Sequence, residues 1–521
     1  MLTTLLYYHN VITLLHYDNI IHWRYFIVEY LLAIDQGTSS TRAILQNLCG
    51  KIEYLKQKEF KCHYPGIQWV EQNPQIILST TIECLKDCLN EAQRKGGKVK
   101  AIGITNQRET TILWDKNTGK PIYDAIVWQD RRTANYCSQL INSGYEKEIK
   151  IRTGLVIDPY FSATKIKWIL DNTNGARLMA KKGALAFGTI DTFLLWHLTG
   201  GKVHATDATN ASRTMLFNLE KQEWDKELLK IFDIPYNILP EVKDSVCNYG
   251  FTDKKIVNET IPITAILGDQ QASAFGQACF TPGILKCTYG TGCFAIMNIG
   301  DVPVYSSNRL LTTVAYRINN KPTFALEGSV FMAGAAVDWL KNNLLIINNP
   351  SDTEELAKSL LDNEGVYLVP AFTGLGAPHW ILDAKGILVG LTRDTNKAHI
   401  ARAVLEAACY QTFDLYKAMS NDCGHPLHEL RVDGGMTNNK WMLQFLSNIS
   451  NMRILKTNTT QVTAYGAAIA AGMGAKIYTE FNDIKKLWSI EKEYIPEMDA
   501  ALREKYLSGW NKAIKTIKEC K

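Results

Sequence analysis

The feature that most restricts the fold is a local pattern that occurs twice, about 250 residues apart: an apolar run, a glycine-containing polar turn and a second apolar run. The first copy is Tyr30-Leu-Leu-Ala-Ile34 closed by Asp35, then Gly37-Thr38-Ser39-Ser40, then Ala43 to Leu48. In the second, Ile284 to Thr288 and Phe294 to Ile299 flank Tyr289-Gly290-Thr291-Gly292-Cys293. Each copy reads as strand, tight turn, strand. Helical periodicity alternates with further strands. Asn73-Pro74 opens a helix with Leu78, Ile82, Leu85 and Leu89 on one face and Gly96 as its stop. Lys98 to Thr105 returns as a strand running into Asn106-Gln107-Arg108-Glu109, and Ile263 to Leu267 as one running into Gly268-Asp269-Gln270-Gln271, with a short helix over Ala272 to Cys279. Leu430 to Val432 leads into Asp433-Gly434-Gly435 and a helix over Asn438 to Ile449. The tail from Met498 to Cys520 places Leu502, Tyr506, Trp510, Ala513 and Ile517 on one face, a helix that packs on its own domain. The pattern predicts an α/β protein of two related halves around a cleft near residue 278.

Composition narrows the partners. The 57 basic and 52 acidic residues leave a net charge of +5 over 521 residues, too dilute to argue for nucleic acid or an anionic membrane, so the expected ligands are small. Twelve cysteines run from Cys49 to Cys520 without a C-x-x-C pair, which fits free thiols in a reducing cytosol. Met1 to Tyr17 carries no formal charge, but His9, Asn10, His16 and Asp18 break the apolar run. It matches neither a secretory signal nor a spanning helix, so no stable membrane insertion is expected. Residues 1–28 are read as an extension outside the fold, 29–278 as the first domain and 279–521 as the second.

Three strand ends carry chemistry. Asp35 stands at the end of a buried strand before a turn of hydroxyl residues and Arg42. Such a turn can cradle phosphate oxygens while the carboxylate reaches Mg²⁺. Asp269, at a second strand end, is placed to take a proton from a substrate hydroxyl. At Gly434-Gly435 the missing side chains let a ligand approach the backbone. Other nucleotide motifs fail. No G-x-x-x-x-G-K-[ST] string occurs, and Gly290-Thr-Gly-Cys-Phe-Ala295 matches the dinucleotide fingerprint only in spacing, because a strand follows where that motif needs a helix.

Taken together, these strings resemble the FGGY family of carbohydrate kinases. Tyr160-Phe-Ser-Ala-Thr-Lys165-Ile-Lys-Trp168-Ile-Leu-Asp-Asn172 matches the first family signature and Gly386 to Glu406 the second. Ile104-Thr-Asn-Gln-Arg108-Glu109-Thr-Thr and Ala125-Ile-Val-Trp128-Gln-Asp-Arg-Arg are similar to the branch that phosphorylates glycerol. The resemblance implies two actin-like (ribonuclease H-like) domains of mixed sheet with helices on both faces, flanking a catalytic cleft. It also implies ATP and Mg²⁺ as cofactors, a cytoplasmic homodimer or homotetramer, and phosphorylation of glycerol, with other polyols or ketoses (xylulose, ribulose) and a non-metabolic actin-like ATPase as the alternatives. In that reading Thr38, Ser39, Ser40 and Arg42 form one phosphate loop, Thr291 and Gly292 the other, and Asp35 organises the metal. Asp269 is the general base. Arg108, Glu109, Tyr160, Asp269 and Gln270 hold the hydroxyls, and Trp128 and Phe294 wall the carbon skeleton. Gly334, Asp338, Gly435 and Asn439 line the adenosine site, although Asp338 stands where bacterial members of that branch commonly carry Gln.

Overall fold

The structure is a computed structural model that describes residues 28–381, 384–424, 427 and 429–519. The expected extension, apart from Val28, lies outside the described residues. The first sheet is built from β1 (Val28–Gln36), β2 (Ser40–Asn47), β3 (Ile52–Glu59), β4 (Gly97–Asn106) and β5 (Ile263–Gly268) in the spatial order β5-β4-β1-β2-β3. β1 to β3 form an antiparallel meander, and β4 and β5 run parallel to β1. The second sheet repeats this order. β6 (Ile284–Tyr289), β7 (Cys293–Gly300), β8 (Leu311–Ile318), β9 (Lys321–Val330), β10 (Glu429–Asp433), β11 (Arg453–Thr457) and β12 (Ile490–Tyr494) are arranged β8-β9-β7-β6-β10-β11-β12. Here β6, β7 and β9 form the antiparallel part, and β10 and β11 run parallel to β6. The two halves therefore share one topology, with β8 and β12 added at the edges.

Strand periodicity decides which helix covers which face. In β1 and β2, Leu32, Ile34 and Leu45 pack with Ile77, Leu85 and Leu89 of α1 (Pro74–Arg94). Leu31, Ala33 and Ile44, on the opposite face, pack with Ala464, Ala467, Ala468 and Ala471. Asn73 caps α1 as its spacing predicts, accepting hydrogen bonds from the backbone N–H of Gln75 and Ile76. The helix predicted over Ala272–Cys279 begins earlier, as α2 (Asp269–Gly276), because Gly268 ends the strand and the chain turns at once. The second half includes the helices α3 (Gly334–Asn342), α4 (Lys397–Cys423), α5 (Lys440–Ser450) and α6 (Val462–Gly474). The helix predicted from Asn438 starts at Lys440, since Gly435–Asn438 forms a 3-10 turn first.

α6 comes late in the chain yet lies on the first sheet, and it crosses α2 at close range. A Cβ on Gly466 would sit 1.8 Å from the carbonyl oxygen of Ala272, so only glycine permits the approach. This crossing and the alanine-rich face of α6 join the two halves. The final helix, α7 (Ala500–Glu519), buries Tyr506, Trp510, Ala513 and Ile517, as its periodicity predicts. Trp510 stacks on Tyr410 at 5.2 Å and donates its indole N–H to Asp414. All cysteines among the described residues are free. No helix among them is long and apolar enough to cross a membrane.

Candidate active site

The parallel strands β1, β4 and β5 end side by side, and each delivers an ionisable residue to the same place. This follows the rule that ligands of α/β sheets bind beyond the carboxyl ends of the strands. From β1 comes Asp35, from the turn after β4 come Arg108 and Glu109, and from the first turn of α2 comes Asp269. Burial pushes the Asp35 carboxyl up to about 6. Arg42, 3.5 Å away, pulls it down, and Asp269 adds to the rise. Two carboxylates thus face one space, each with one arginine beside it: Arg42 at Asp35 and Arg108 at Asp269.

Arg108 and Glu109 are almost fully buried and join a four-residue charge network. Both terminal nitrogens of Arg108 bond Glu327, at 2.5 and 2.9 Å, and its Nε lies 3.1 Å from Asp269 Oδ1. Arg213 donates to Glu109 at 2.6 Å and lies 3.1 Å from Glu327. Burial disfavours charge on Glu327, but Arg108 and Arg213 outweigh it and hold the carboxyl below its ordinary value. For Glu109 burial wins over Arg213 and Arg108, and its carboxyl is raised. The backbone of Glu109 has φ of +62°, a left-handed conformation that a non-glycine residue adopts at a cost of about 1–3 kcal/mol. The bond from Arg213 fixes where the Glu109 side chain points.

Aromatic rings bound the same space. Trp128 meets Tyr160 edge-on at 5.6 Å and Phe294 at 6.3 Å, and Arg213 sits 5.5 Å over the Tyr160 ring. Trp128 donates its indole N–H to the Thr38 hydroxyl at 2.9 Å, which ties this wall to the first turn. The Thr38 carbonyl accepts from Gln72, which in turn accepts from Gln107, so a chain of buried amides sets the turn's position. Within that turn Gly37, Thr38 and Ser39 form the loop. Ser40 is already in β2 and buried, and Arg42 bonds Gln57 besides pairing with Asp35. Gln270 accepts a hydrogen bond from buried Lys286 at 2.9 Å.

The second sheet contributes its own strand ends. The backbone N–H of Ala333 and Ala335 bond the Thr291 carbonyl, and Gly334 N–H bonds the Gly290 carbonyl, so the Gly290–Gly292 turn is clamped to the start of α3. Gly434, at φ +96°, would place a Cβ 2.3 Å from the Tyr289 carbonyl oxygen, whereas Gly435 faces open space. Asn439 caps α5 and reaches Thr353. Asp338 is exposed one turn along α3. Gly434→Ala is expected to cost at least about 2 kcal/mol, because strain and backbone overlap add, and Gly435→Ala less than about 0.5 kcal/mol. Denaturant midpoints of the two variants check this, and equal losses would contradict it.

The sequence reading missed Arg213, Glu327 and Lys286. The available signal was a charge inside an apolar strand: Phe324-Ala-Leu-Glu327-Gly and Ile284-Leu-Lys286-Cys each bury an ion that must find a partner. Asp433, at the end of β10, was noted as a strand end only. Ser273 and Gln277 of the α2 region bond it, at 3.1 and 2.5 Å, across the two halves.

An actin-like fold with paired carboxylates and two glycine turns in its cleft defines a phosphoryl-transfer class, and the comparisons agree. Residues 30–276 match the FGGY family of carbohydrate kinases, N-terminal domain, and residues 285–475 match its C-terminal domain. The chain is 52% identical over 487 residues to a glycerol kinase of Coxiella burnetii, covering 93% of this chain and 97% of that one. It is likewise 52% identical over 485 residues to one of Rhodospirillum centenum, again covering 93% and 97%. The crystal structure of Plasmodium falciparum glycerol kinase with ADP superposes with a TM-score of 0.90 at 38% identity, covering 94% of this chain and 98% of that one. A gluconate kinase of Lactobacillus acidophilus shares the fold at 22% identity, with a TM-score of 0.84 and coverage of 95% and 97%. The chain belongs to the FGGY family of carbohydrate kinases.

Proposed function

We propose that this chain transfers the terminal phosphoryl group of ATP to glycerol, giving ADP and sn-glycerol 3-phosphate, in the cytoplasm and as a homodimer or homotetramer. The observation that carries the reading is the buried Arg108–Glu109 pair beside Asp269 with Trp128, Tyr160 and Phe294 around it. A small triol offers little apolar area, so a selective site must hold its hydroxyls by charged hydrogen bonds against an aromatic wall. Relatives that are 52% identical and carry the glycerol kinase name support the same substrate.

In this mechanism Arg108, Glu109 and Tyr160 orient the triol. Asp269 accepts the proton of the attacking hydroxyl. Its Oδ1 is engaged by Arg108 Nε and by the N–H of Gln270, which leaves Oδ2 for the substrate. The backbone and hydroxyls of Thr38 and Ser39 with Arg42, and the Thr291-Gly292 turn, hold phosphate oxygens. Gly334, Gly435 and Asn439 bound the adenosine side, with Asp338 at its solvent rim. Catalysis here is chiefly positioning and charge stabilisation, because phosphoryl transfer asks little covalent chemistry of the protein. Buried Asp35 with the part-exposed Asp269 beside it suits a divalent cation: Mg²⁺ held through Asp35 would neutralise charge on the transferring phosphate.

The raised Asp35 carboxyl has a thermodynamic sign. Its folded value near 6 lies above the ordinary 3.8, so the ligand-free protein loses stability as pH rises through that window. Asp35→Asn is expected to melt higher than the parent above pH 6, by on the order of 1–3 kcal/mol, with the gap closing towards pH 4. Thermal melts across that range test it, and a variant less stable than the parent at neutral pH would contradict it.

Substrate choice is tested by initial rates with ATP and Mg²⁺ on glycerol, xylulose and ribulose. Glycerol is expected to lead in kcat/KM by at least about 10²-fold. A ketose that matches it, or ATP hydrolysis indifferent to all three, would overturn the reading.

A further inference from the structure

Outside the cleft, His63, Glu71 and Asp124 bring three potential metal-ligand atoms within 4.8 Å of one another. His63 Nε2 lies 3.1 Å from Glu71 Oε2 and 3.1 Å from Asp124 Oδ2. A tetrahedral zinc ion with bonds of about 2.0–2.2 Å sets its ligand atoms about 3.3–3.6 Å apart, so the two 3.1 Å separations need to open by only a few tenths of an ångström to admit it. An ordinary ion pair explains the arrangement less well. A single ring nitrogen carries one hydrogen, yet two carboxylate oxygens converge on it, and only Glu71 meets hydrogen-bond geometry. Asp124 has His63 as its only ion-pair partner among the described residues.

The surroundings are built as metal sites are. Reciprocal backbone hydrogen bonds of 2.9 and 3.0 Å lock His63 opposite Glu71. Glu71 pairs with Ile126, two residues from Asp124, in a second antiparallel contact. The other oxygen of Glu71 accepts from Tyr123 at 2.8 Å and Arg132 at 2.6 Å, so Oε2 is held towards His63. Arg132 is itself fixed by Asp130 and stacked 4.0 Å over Trp69. Outer partners that orient the ligands in this way are a regular part of metal centres.

We propose that His63 Nε2, Glu71 Oε2 and Asp124 Oδ2 bind one zinc ion, with water completing the shell. Imidazole with two carboxylates favours zinc over Mg²⁺, which prefers oxygen ligands and keeps its waters. The ion pins the ribbon of Glu71–Gln72 and Ala125–Ile126, from which Gln72 reaches the Thr38 loop and the chain continues into Trp128. Its role is structural. It orders one wall of the cleft without touching substrate, and the proposal stands apart from the choice of substrate.

The test uses the full-length protein freed of metal by chelator and kept in excess Mg²⁺, so that Asp35 is not the site read. Titration with zinc by calorimetry is expected to saturate at one ion per chain and to raise the melting temperature. Cobalt in its place is expected to give the visible absorption bands of a low-coordinate nitrogen–oxygen site. His63→Ala and Asp124→Asn, both at half-exposed side chains, are each expected to weaken zinc at least tenfold with circular dichroism unchanged. Absence of saturable binding to the parent, octahedral cobalt spectra, or undiminished zinc binding by both variants would each overturn the proposal. Should a variant fail to fold, the parent's stoichiometry and cobalt spectrum still decide it.

Discussion

Asp269→Asn lowers kcat by at least about 10²-fold, the typical contribution of a positioned general base, while KM for ATP stays nearly unchanged. The amide keeps the size of the side chain and can still face Arg108 and the N–H of Gln270, but it cannot accept the hydroxyl proton. Asp269 is about a third exposed at its side chain, so the loss falls on chemistry rather than on folding. Steady-state kinetics with glycerol and ATP varied separately check this. Turnover close to that of the parent would remove Asp269 from the mechanism.

Arg108→Ala raises KM for glycerol far more than KM for ATP. Each hydrogen bond lost from a buried polar site costs about 1–3 kcal/mol, so a rise of roughly 10- to 100-fold is expected. The substitution also removes two bonds to Glu327 and the contact with Asp269, so kcat falls as well. Stability drops too, because breaking a buried ion pair costs about 3–5 kcal/mol, moderated here by Arg213, which stays 3.1 Å from Glu327. Arg108→Lys is expected to recover stability in part but little glycerol affinity, since one ammonium cannot reproduce the forked contacts. Equal shifts in both Michaelis constants would place Arg108 outside the triol site.

What the sequence disclosed was local. The strand ending at Asp35, the Asn73 cap and the strands running into Arg108 and Asp269 all follow from spacing within a few residues, and all occur. Turn chemistry misplaced two helix starts by two or three residues, at Asp269 and Lys440, because a glycine or a 3-10 turn settles where a helix begins. What stayed hidden was long-range. Glu327 meets Arg108 across 219 positions, and Asp433 meets Gln277 across 156. Nothing in the periodicity of β9 names its partner. That α6 would cover the first sheet was hidden for the same reason: an alanine-rich helix fits many surfaces, and only the close crossing at Gly466 selects this one. Metal and phosphate roles at Asp35 and Thr38 were suggested by residue type and that of Thr291 by the family resemblance, whereas the amide chain that holds the Thr38 turn needed the fold to bring Gln72 and Gln107 together.

The most direct test of the account is ADP release by the purified chain with ATP and Mg²⁺, measured with and without glycerol, with the phosphorylated product identified by mass and by position. The account predicts ADP formation that depends on glycerol, one glycerol 3-phosphate per ADP, and loss of both in Asp269→Asn. ADP release at the same rate without glycerol, or with no phosphorylated triol accumulating, would contradict it.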